Sequence, residues 1–449
     1  MPLRSVFIGN RGEIAARVIR TCQRLGLRTV LAVSEADRTS VPAGMADRAV
    51  CIGPSRPADS YLRIDTLVQA ALSTGCDAVH PGYGFLSERA AFAQLCEQQG
   101  LIFVGPTAQQ IEAVGDKLRA RAQAEAAQVP VVPGGEVHDL AQASELAAHI
   151  GAPLLIKAVG GGGGRGMKLV EHLAELASAL DMASAEAGAA FGDARVYLER
   201  YVARGRHVEV QVLGDGHGGA IHLGERDCSV QRRYQKVIEE TPAPMLDATL
   251  RRELHEAALR LTRRLAYRGA GTVEFLVDAA SGAFYFLEMN ARIQVEHPVT
   301  EMVTGLDIVA EQFAIAAGEG LRVTQQQVAC EGWAIECRVN AEDPAQDFRP
   351  SPGTVTRADW PQGEGIRVDT HIITGSRVPP FYDSLLGKII AHGATRAQAL
   401  ARLGAALAQT RIEGVRTNVA FQRSLLADAA FVAGGVDTGF LTRRSRANG

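Results

Sequence analysis

The stretch LLIKAVGGGGGRGMKLV, residues 154–170, decides the fold. Two apolar runs, LLI and MKLV, enclose five consecutive glycines at 160–164, followed by Arg165 and Gly166. A glycine loop between strands bares many backbone N–H groups, which can wrap a chain of phosphates. The pattern is not G-x-x-x-x-G-K-[ST], so it is not a P-loop. A flexible hairpin is the plainer alternative. Lys157 follows the first apolar run; a lone strand lysine is more often an exposed edge residue, but beside this loop its ammonium can point at phosphates.

Downstream, two acids are embedded in apolar strands, Glu274 in GTVEFLV and Glu288 in FYFLEMN. Burying an ionised carboxylate is costly unless a cation or hydrogen bonds compensate. The two-residue strand period puts Glu288, Asn290 and Arg292 on one face, with Leu287, Met289 and Ala291 opposite. Two acids and an amide oxygen suit Mg²⁺, a hard cation that takes oxygen ligands; a buried salt-bridge cluster is the bland alternative. The segment ERDCSVQRRYQKVIEE carries Arg226, Arg232, Arg233 and Lys236, with Arg251 farther on. Such a cluster is usually a solvated face, but near phosphate it equally suits small anions. Arg338, set between apolar neighbours in AIECRVN, calls for an anionic partner.

Upstream, RSVFIGN, RTVLAVS, DAVHPG and LIFVG read as strands. They alternate with the helices GEIAARVIRTCQRLG, YLRIDTLVQAALSTG and AAFAQLCEQQG. Such a series over residues 1–110 predicts a parallel sheet with right-handed crossovers. In the first helix Ile14, Val18 and Ile19 share a face and Gly26 closes it. The first turn, Gly9-Asn10-Arg11-Gly12, lacks G-x-G-x-x-G, so no dinucleotide site is assigned there. One helix is expected over AQQIEAVGDKLRARAQAEAAQ, a small β/α unit over 131–203, strands and a helix over 204–320, and a β-rich region after 330.

Composition bounds the rest. With 449 residues, 47% hydrophobic and 22% charged, the chain is long enough for about three globular units. A net charge of −3 argues against a nucleic-acid surface as the main theme. There is no run of the ~18 apolar residues a membrane helix needs and no signal-peptide pattern. Seven cysteines without a CxxC pair read as buried, reduced thiols. A cytoplasmic protein without nucleic-acid or membrane partners is the expectation.

Taken together, NRGEIA (10–15), HPGYGFLSE (80–88), GDK (115–117), KAVGGGGGRGM (157–167) and HVEVQV (207–212) resemble the biotin carboxylase family. So do ERDCSVQRR (225–233), RGAGTVEF (268–275), EMNARIQVEHPVTEM (288–302), CRVNAEDP (337–344) and PSPG (350–353), in family order over roughly residues 3–445. The resemblance implies a mixed α/β and α+β ATP-grasp fold. Its parts are an N-terminal parallel α/β (pre-ATP-grasp) domain at 1–115, a first ATP-grasp part at 116–203 with its glycine-rich lid at about 131–203, a second part at 204–320 and a β-rich C-terminal domain at 330–446. It also implies a ligase reaction in which ATP and bicarbonate form carboxyphosphate, whose carboxyl group passes to biotin.

On that resemblance, Lys117, Lys157, Gly163 and Gly164 would grip the phosphates. Glu199, Arg200, Tyr201 and Val202 would form the hinge at adenine, with His207, Gln231 and Tyr234 near the nucleotide. Glu274, Glu288 and Asn290 would hold two Mg²⁺ or Mn²⁺ ions. Lys236, Arg292, the Val295 backbone and Arg338 would hold bicarbonate. Glu296 would be its general base, Arg338 would steady the biotin enolate, and Tyr83 would line the biotin side. Tyr234 stands where the family commonly has His or Asn, Arg89 replaces an amide, and Arg200 replaces a frequent Lys; none of these is a metal ligand, the base or a bicarbonate residue.

No methionine-lysine-methionine attachment motif is present. Biotin is therefore expected on a separate biotin carboxyl carrier protein, with carboxyltransferase subunits completing an acetyl-CoA or related carboxylase, and a homodimer is expected. Two other readings exist. An idle regulatory subunit should have lost one of Glu274, Glu288, Arg292, Glu296 or Arg338, yet all are present. Another ATP-grasp ligase would leave RIQVEHP and CRVNAEDP without a role.

Overall fold

A computed structural model of the chain describes residues 3–160 and 166–447. Its first sheet has strands β1 (Ser5–Ile8), β2 (Arg28–Ser34), β3 (Arg48–Gly53), β4 (Ala78–His80) and β5 (Ile102–Phe103). They are parallel in the order β3-β2-β1-β4-β5. Helices α1 (Gly12–Leu25), α2 (Ile64–Ser73) and α3 (Ala90–Gln98) connect them, as the apolar spacing predicts. Ile14, Val18 and Ile19 are buried, and Gly26 ends α1 in the left-handed region at φ 70°. Strand β3 was not predicted; it is a mostly exposed edge strand with little apolar signal. At the end of β1, Asn10 donates through Nδ2 to the carbonyls of Pro81 and Tyr83, both at 2.7 Å. Only glycine fits at 82, because a Cβ there would lie 2.8 Å from that amide nitrogen.

The helix expected over 108–128 is two, α4 (Ala108–Gly115) and α5 (Lys117–Ala126). Asp116 leaves the helical region (ψ 126°) and caps α5 by accepting from the Arg119 N–H at 2.9 Å. That break sets Lys117 at the first position of a new helix. A four-stranded antiparallel sheet follows, from β6 (Gly134–Val137), β7 (Leu154–Ala158), β8 (Met167–Val170) and β9 (Val196–Arg200), in the order β6-β9-β7-β8. Helices α6 (Leu140–Ile150) and α7 (Leu176–Phe191) pack on it.

The largest sheet has eight antiparallel strands: β10 (Gly205–Asp215), β11 (Ala220–Arg232), β12 (Gln235–Thr241), β13 (Arg268–Asp278), β14 (Phe284–Asn290), β15 (Trp333–Asn340), β16 (Ile366–Thr370) and β17 (Leu385–Gly393). Their order is β14-β13-β10-β11-β12-β15-β17-β16. Hydrogen bonding therefore runs without interruption from residues before 320 into those after 330. Helix α8 (Ala248–Arg264) buries Leu250, Leu254, Ala257, Ala258 and Leu261 in the core that also holds Val208, Val210 and Phe275. Of the seven cysteines, Cys51 and Cys330 are exposed, contrary to the expectation that all are buried.

Helix α9 (His297–Thr304) lies against β15 and β17 and carries the ion pairs that fasten α1 to this sheet. Glu301 meets Arg17 of α1 and Arg367 of β16, each at 2.8 Å. Burial alone would raise the Glu301 pKa, but Arg17, His297 and Arg367 outweigh it and hold it at about 2. A carboxylate depressed on folding contributes stability above its unfolded pKa, and loses it as pH falls through the folded value. Glu301→Gln should therefore cost roughly 3 kcal/mol at neutral pH, and progressively less as pH falls from 4.5 toward about 2, in urea denaturation followed across pH.

Candidate active site

Strand register brings four charged side chains into one row. Arg226 of β11 is opposite Glu209 of β10, Glu209 opposite Glu274 of β13, and Glu274 opposite Glu288 of β14. Side chains directly opposite each other on antiparallel strands share a face at close range. Three acids side by side require cations, and the chain supplies two from within the sheet. Arg226, fully buried, donates through Nε to Glu209 Oε1 at 2.6 Å. Lys236, from β12, places its ammonium 2.5 Å from Glu209, 3.0 Å from Glu274 and 2.7 Å from Glu296.

Glu296 is fully buried just before α9 and is held from two sides, by Lys236 and by Arg338 Nη2 at 3.0 Å. Burial would raise its pKa, but Lys236, Arg338 and Arg226 drive it well below the usual carboxylate range, so it is ionised at neutral pH. Its neighbours on the chain are pinned as well. Lys388 donates to the Val295 carbonyl at 2.6 Å and Gln294 donates to Glu274 at 3.1 Å. Arg292 reaches Glu88 Oε2 at 2.8 Å and Gln294 Oε1 at 2.8 Å. Tyr83 donates its hydroxyl to Glu13, which also meets Lys388 at 3.2 Å.

At the other end of the row the acids are crowded. Burial and then the nearby Glu274 raise the Glu288 pKa, while Lys117 opposes them. Asn290 donates its amide N–H to Glu274 Oε1 at 3.2 Å and to Glu288 Oε1 at 3.3 Å, and its Oδ1 accepts from Arg292 Nη2 at 2.6 Å. The amide oxygen thus faces Arg292 and the amide N–H faces the acids. Glu274 already has Lys236 and His207, whereas Glu288 has only the more distant Lys117 against it, so this oxygen-only pair still fits a hard divalent cation at its Glu288 end.

Lys117, Lys157, Tyr197, Glu199, Phe286 and Leu287 line a small cleft beside Glu288. Lys157 pairs with Glu199. Burial lowers the Lys117 pKa, opposed by Glu288 and aided by Lys157. Gly163 and Gly164 lie outside the described residues. In the hinge, the N–H groups of Arg200 and Tyr201 are taken by the carbonyls of Pro133 and Pro153, and among the described residues no partner takes the Val202 N–H. His207 Nε2 lies 2.8 Å from Glu274 Oε2 and its Nδ1 meets Gln231 Nε2 at 2.6 Å. Tyr234 and Arg233 form the two-residue tip of the β11–β12 hairpin, both with positive φ, and Tyr234 is 58% exposed.

Sequence reading missed Glu88, Glu209, Glu239, Gln294 and Lys388. For Glu209 a signal existed, since HVEVQV alternates polar residues with buried valines as GTVEFLV does. For Lys236 the residues alone left a solvated face and an anion site both open; the structure puts it on β12, an interior strand.

Residues 2–111 match the family model "Biotin carboxylase, N-terminal domain" and residues 336–443 match "Biotin carboxylase C-terminal domain". Residues 116–324 match "Carbamoyl-phosphate synthase L chain, ATP binding domain". A biotin carboxylase of Pseudomonas aeruginosa is 51% identical over 445 residues, covering 98% of each chain. The chain belongs to the biotin carboxylase family.

The biotin carboxylase of Campylobacter jejuni, solved as a β,γ-ATP complex, superposes with a TM-score of 0.95 at 42% identity, over 98% of this chain and 99% of that one. The biotin carboxylase domain of Hydrogenobacter thermophilus 2-oxoglutarate carboxylase is a dimer with MgADP, ADP and bicarbonate. It superposes with a TM-score of 0.94 at 44% identity, over 99% and 98%. This biotin carboxylase is thus an ATP-grasp enzyme, an ATP-dependent ligase that carboxylates biotin with bicarbonate and uses Mg²⁺. No described helix is long and apolar enough to cross a membrane.

Lys236→Met should destabilise the fold by about 3–5 kcal/mol, because it leaves buried carboxylates without their shared cation. Urea denaturation at pH 8 measures it.

Proposed function

We propose that the row Glu209–Glu274–Glu288 and the loop ending in Glu296 divide the reaction between them, nucleotide at one end and bicarbonate and biotin at the other. The observation that carries this is the state of Glu296: a fully buried carboxylate, ionised, and clamped between Lys236 and Arg338. A base must be unprotonated and within reach of cations that also hold its substrate.

Lys117, Lys157, Gly163 and Gly164 grip the phosphates. Glu199, Arg200, Tyr201 and Val202 seat adenine; the untaken Val202 N–H suits that role. His207 and Gln231 flank the nucleotide, and Tyr234 reaches it from the hairpin tip. Glu274, Glu288 and Asn290 hold Mg²⁺ or Mn²⁺, which neutralises charge on the phosphates. Lys236, Arg292, Val295 and Arg338 hold bicarbonate. Glu296 takes the bicarbonate proton, and a bicarbonate oxygen bonds to the γ-phosphorus as the bond to ADP breaks. The carboxyl carbon of the resulting carboxyphosphate then bonds to biotin N1 as its bond to the phosphate oxygen breaks, and the departing phosphate takes up the N1 proton. Arg338 stabilises the biotin enolate, a developing charge that a fixed cation favours. Tyr83 lines the biotin side.

Biotin arrives on a carrier protein, and carboxyltransferase subunits complete an acetyl-CoA or related carboxylase. The Hydrogenobacter relative serves a 2-oxoglutarate carboxylase, so the fold alone is compatible with several acceptors. The dimer of that relative supports a homodimer here.

ADP release with Mg·ATP and bicarbonate should be strongly stimulated by biotin or biotinylated carrier and should vanish without bicarbonate. Glu296→Ala should abolish biotin carboxylation while Mg·ATP binding, by calorimetry, stays close to wild type; loss of ATP binding as well would show a structural role instead. Tyr234→His should change the apparent ATP constant more than the bicarbonate constant in steady-state assays.

A further inference from the structure

Beside Arg338, sharing its Nη2 with Glu296, lies a second pair of acids that the mechanism above does not use. Glu239 of β12 and Glu336 of β15 are directly opposite each other in the strand register, and both are fully buried. Arg338 donates through Nε to Glu239 Oε1 at 2.6 Å while its Nη2 reaches Glu296 at 3.0 Å. One guanidinium is thus gripped by two carboxylates. Glu239 Oε2 and both Glu336 oxygens have no hydrogen-bond partner among the described residues.

The two grips have different fates during the reaction. When Glu296 takes up the bicarbonate proton it loses its charge, and Arg338 loses that anionic partner at the moment biotin must be met. Glu239 is sealed from solvent and takes no proton in that step, so its grip persists. We propose that Glu239 is a positioning residue for biotin carboxylation: ionised, it keeps Arg338 in place while Glu296 is protonated, and its own protonation releases that hold. This rests on the roles given to Arg338 and Glu296 above.

The surroundings of the pair decide which acid titrates. Glu239 faces Arg338, Glu296 and Lys236, with the thiols of Cys228 and Cys337 nearby. Glu336 faces Lys388, Glu239, Arg338 and Glu296. Burial raises the pKa of both acids. For Glu336 the rise is large and keeps it a neutral carboxyl; for Glu239, Arg338 pulls the other way and leaves it at about 7. The hold on Arg338 is therefore strong above that pH and weak below it.

Biotin-dependent ADP release by the full chain, measured against pH, tests this. Turnover of the unmodified chain should rise between about pH 6 and 8. Glu239→Gln should lower turnover at the upper end about tenfold and abolish the rise, with the KM for ATP unchanged within about twofold. Glu239→Asp, a methylene short of Arg338 but still charged, should keep the rise at reduced turnover. Glu336→Gln, neutral like the residue it replaces, should keep both turnover and the rise. A wild-type pH profile in Glu239→Gln, full turnover in Glu239→Asp, or a rise lost in Glu336→Gln would overturn the assignment. Arg338→Gln run alongside separates the levels: if it retains biotin-dependent turnover, the role of Arg338 fails and this inference with it. If it is inactive while Glu239→Gln behaves as wild type, only this inference fails.

Discussion

The Lys236 ammonium, shared by Glu209, Glu274 and Glu296, is the interaction on which the site depends. Those acids come from two strands and a loop, and strand register forces Glu209 and Glu274 into contact whether or not a cation is present. Buried charges of one sign at such range are tolerated only when paired and hydrogen-bonded. Arg226 and Lys236 meet that demand from within the same sheet, and Arg338 extends it to β15. The sheet is therefore continuous across residues that look like separate units in sequence: β12 must pair with β15 for the lysine and the arginine to face one carboxylate.

The same cations sort the acids into kinds. Near Lys236 and Arg338 a carboxylate is held ionised, which gives Glu296 the state of a base. Far from them, beside Glu274, Glu288 is pushed toward protonation and is the acid with most to gain from a divalent ion. Environments that drive like groups apart mark their roles more sharply than residue type does. The glutamates are thus split into one pushed toward protonation and one held ionised by the placement of a few cations.

Most of the architecture was legible because its elements carry strong periodicity. The N-terminal helices, β7 and β8 around the glycine loop, and β13 and β14 around their acids all show apolar spacing that burial then explains. What was not legible has a common cause. Strand β12, QKVIEET, has two apolar residues among charged ones and reads as surface; it is interior because Arg338, Arg396 and the acids of β10 and β13 neutralise it. Glu239 and Lys388 could not be placed because their partners, Arg338 for one and Val295 and Glu13 for the other, are far away in sequence. The turn of Asn290 toward Arg292 likewise depends on Glu88, which holds that guanidinium from a distant segment, together with Gln294 two residues along the chain.

Those distant ties explain why the motifs occur together. The loop Ala291–Glu296 has no regular structure of its own, so its shape must be imposed. Glu88, from the loop after β4, takes both the Ala291 N–H and Arg292. Glu274 takes Gln294, and Lys388 takes the Val295 carbonyl while meeting Glu13 of α1. Asn10 in turn anchors the loop that carries Glu88 through Pro81 and Tyr83. A base must sit within a few tenths of an ångström of a productive position, and here that position is set from the N-terminal sheet, the central strands and β17 at once. The N-terminal unit therefore braces the loop that carries Glu296.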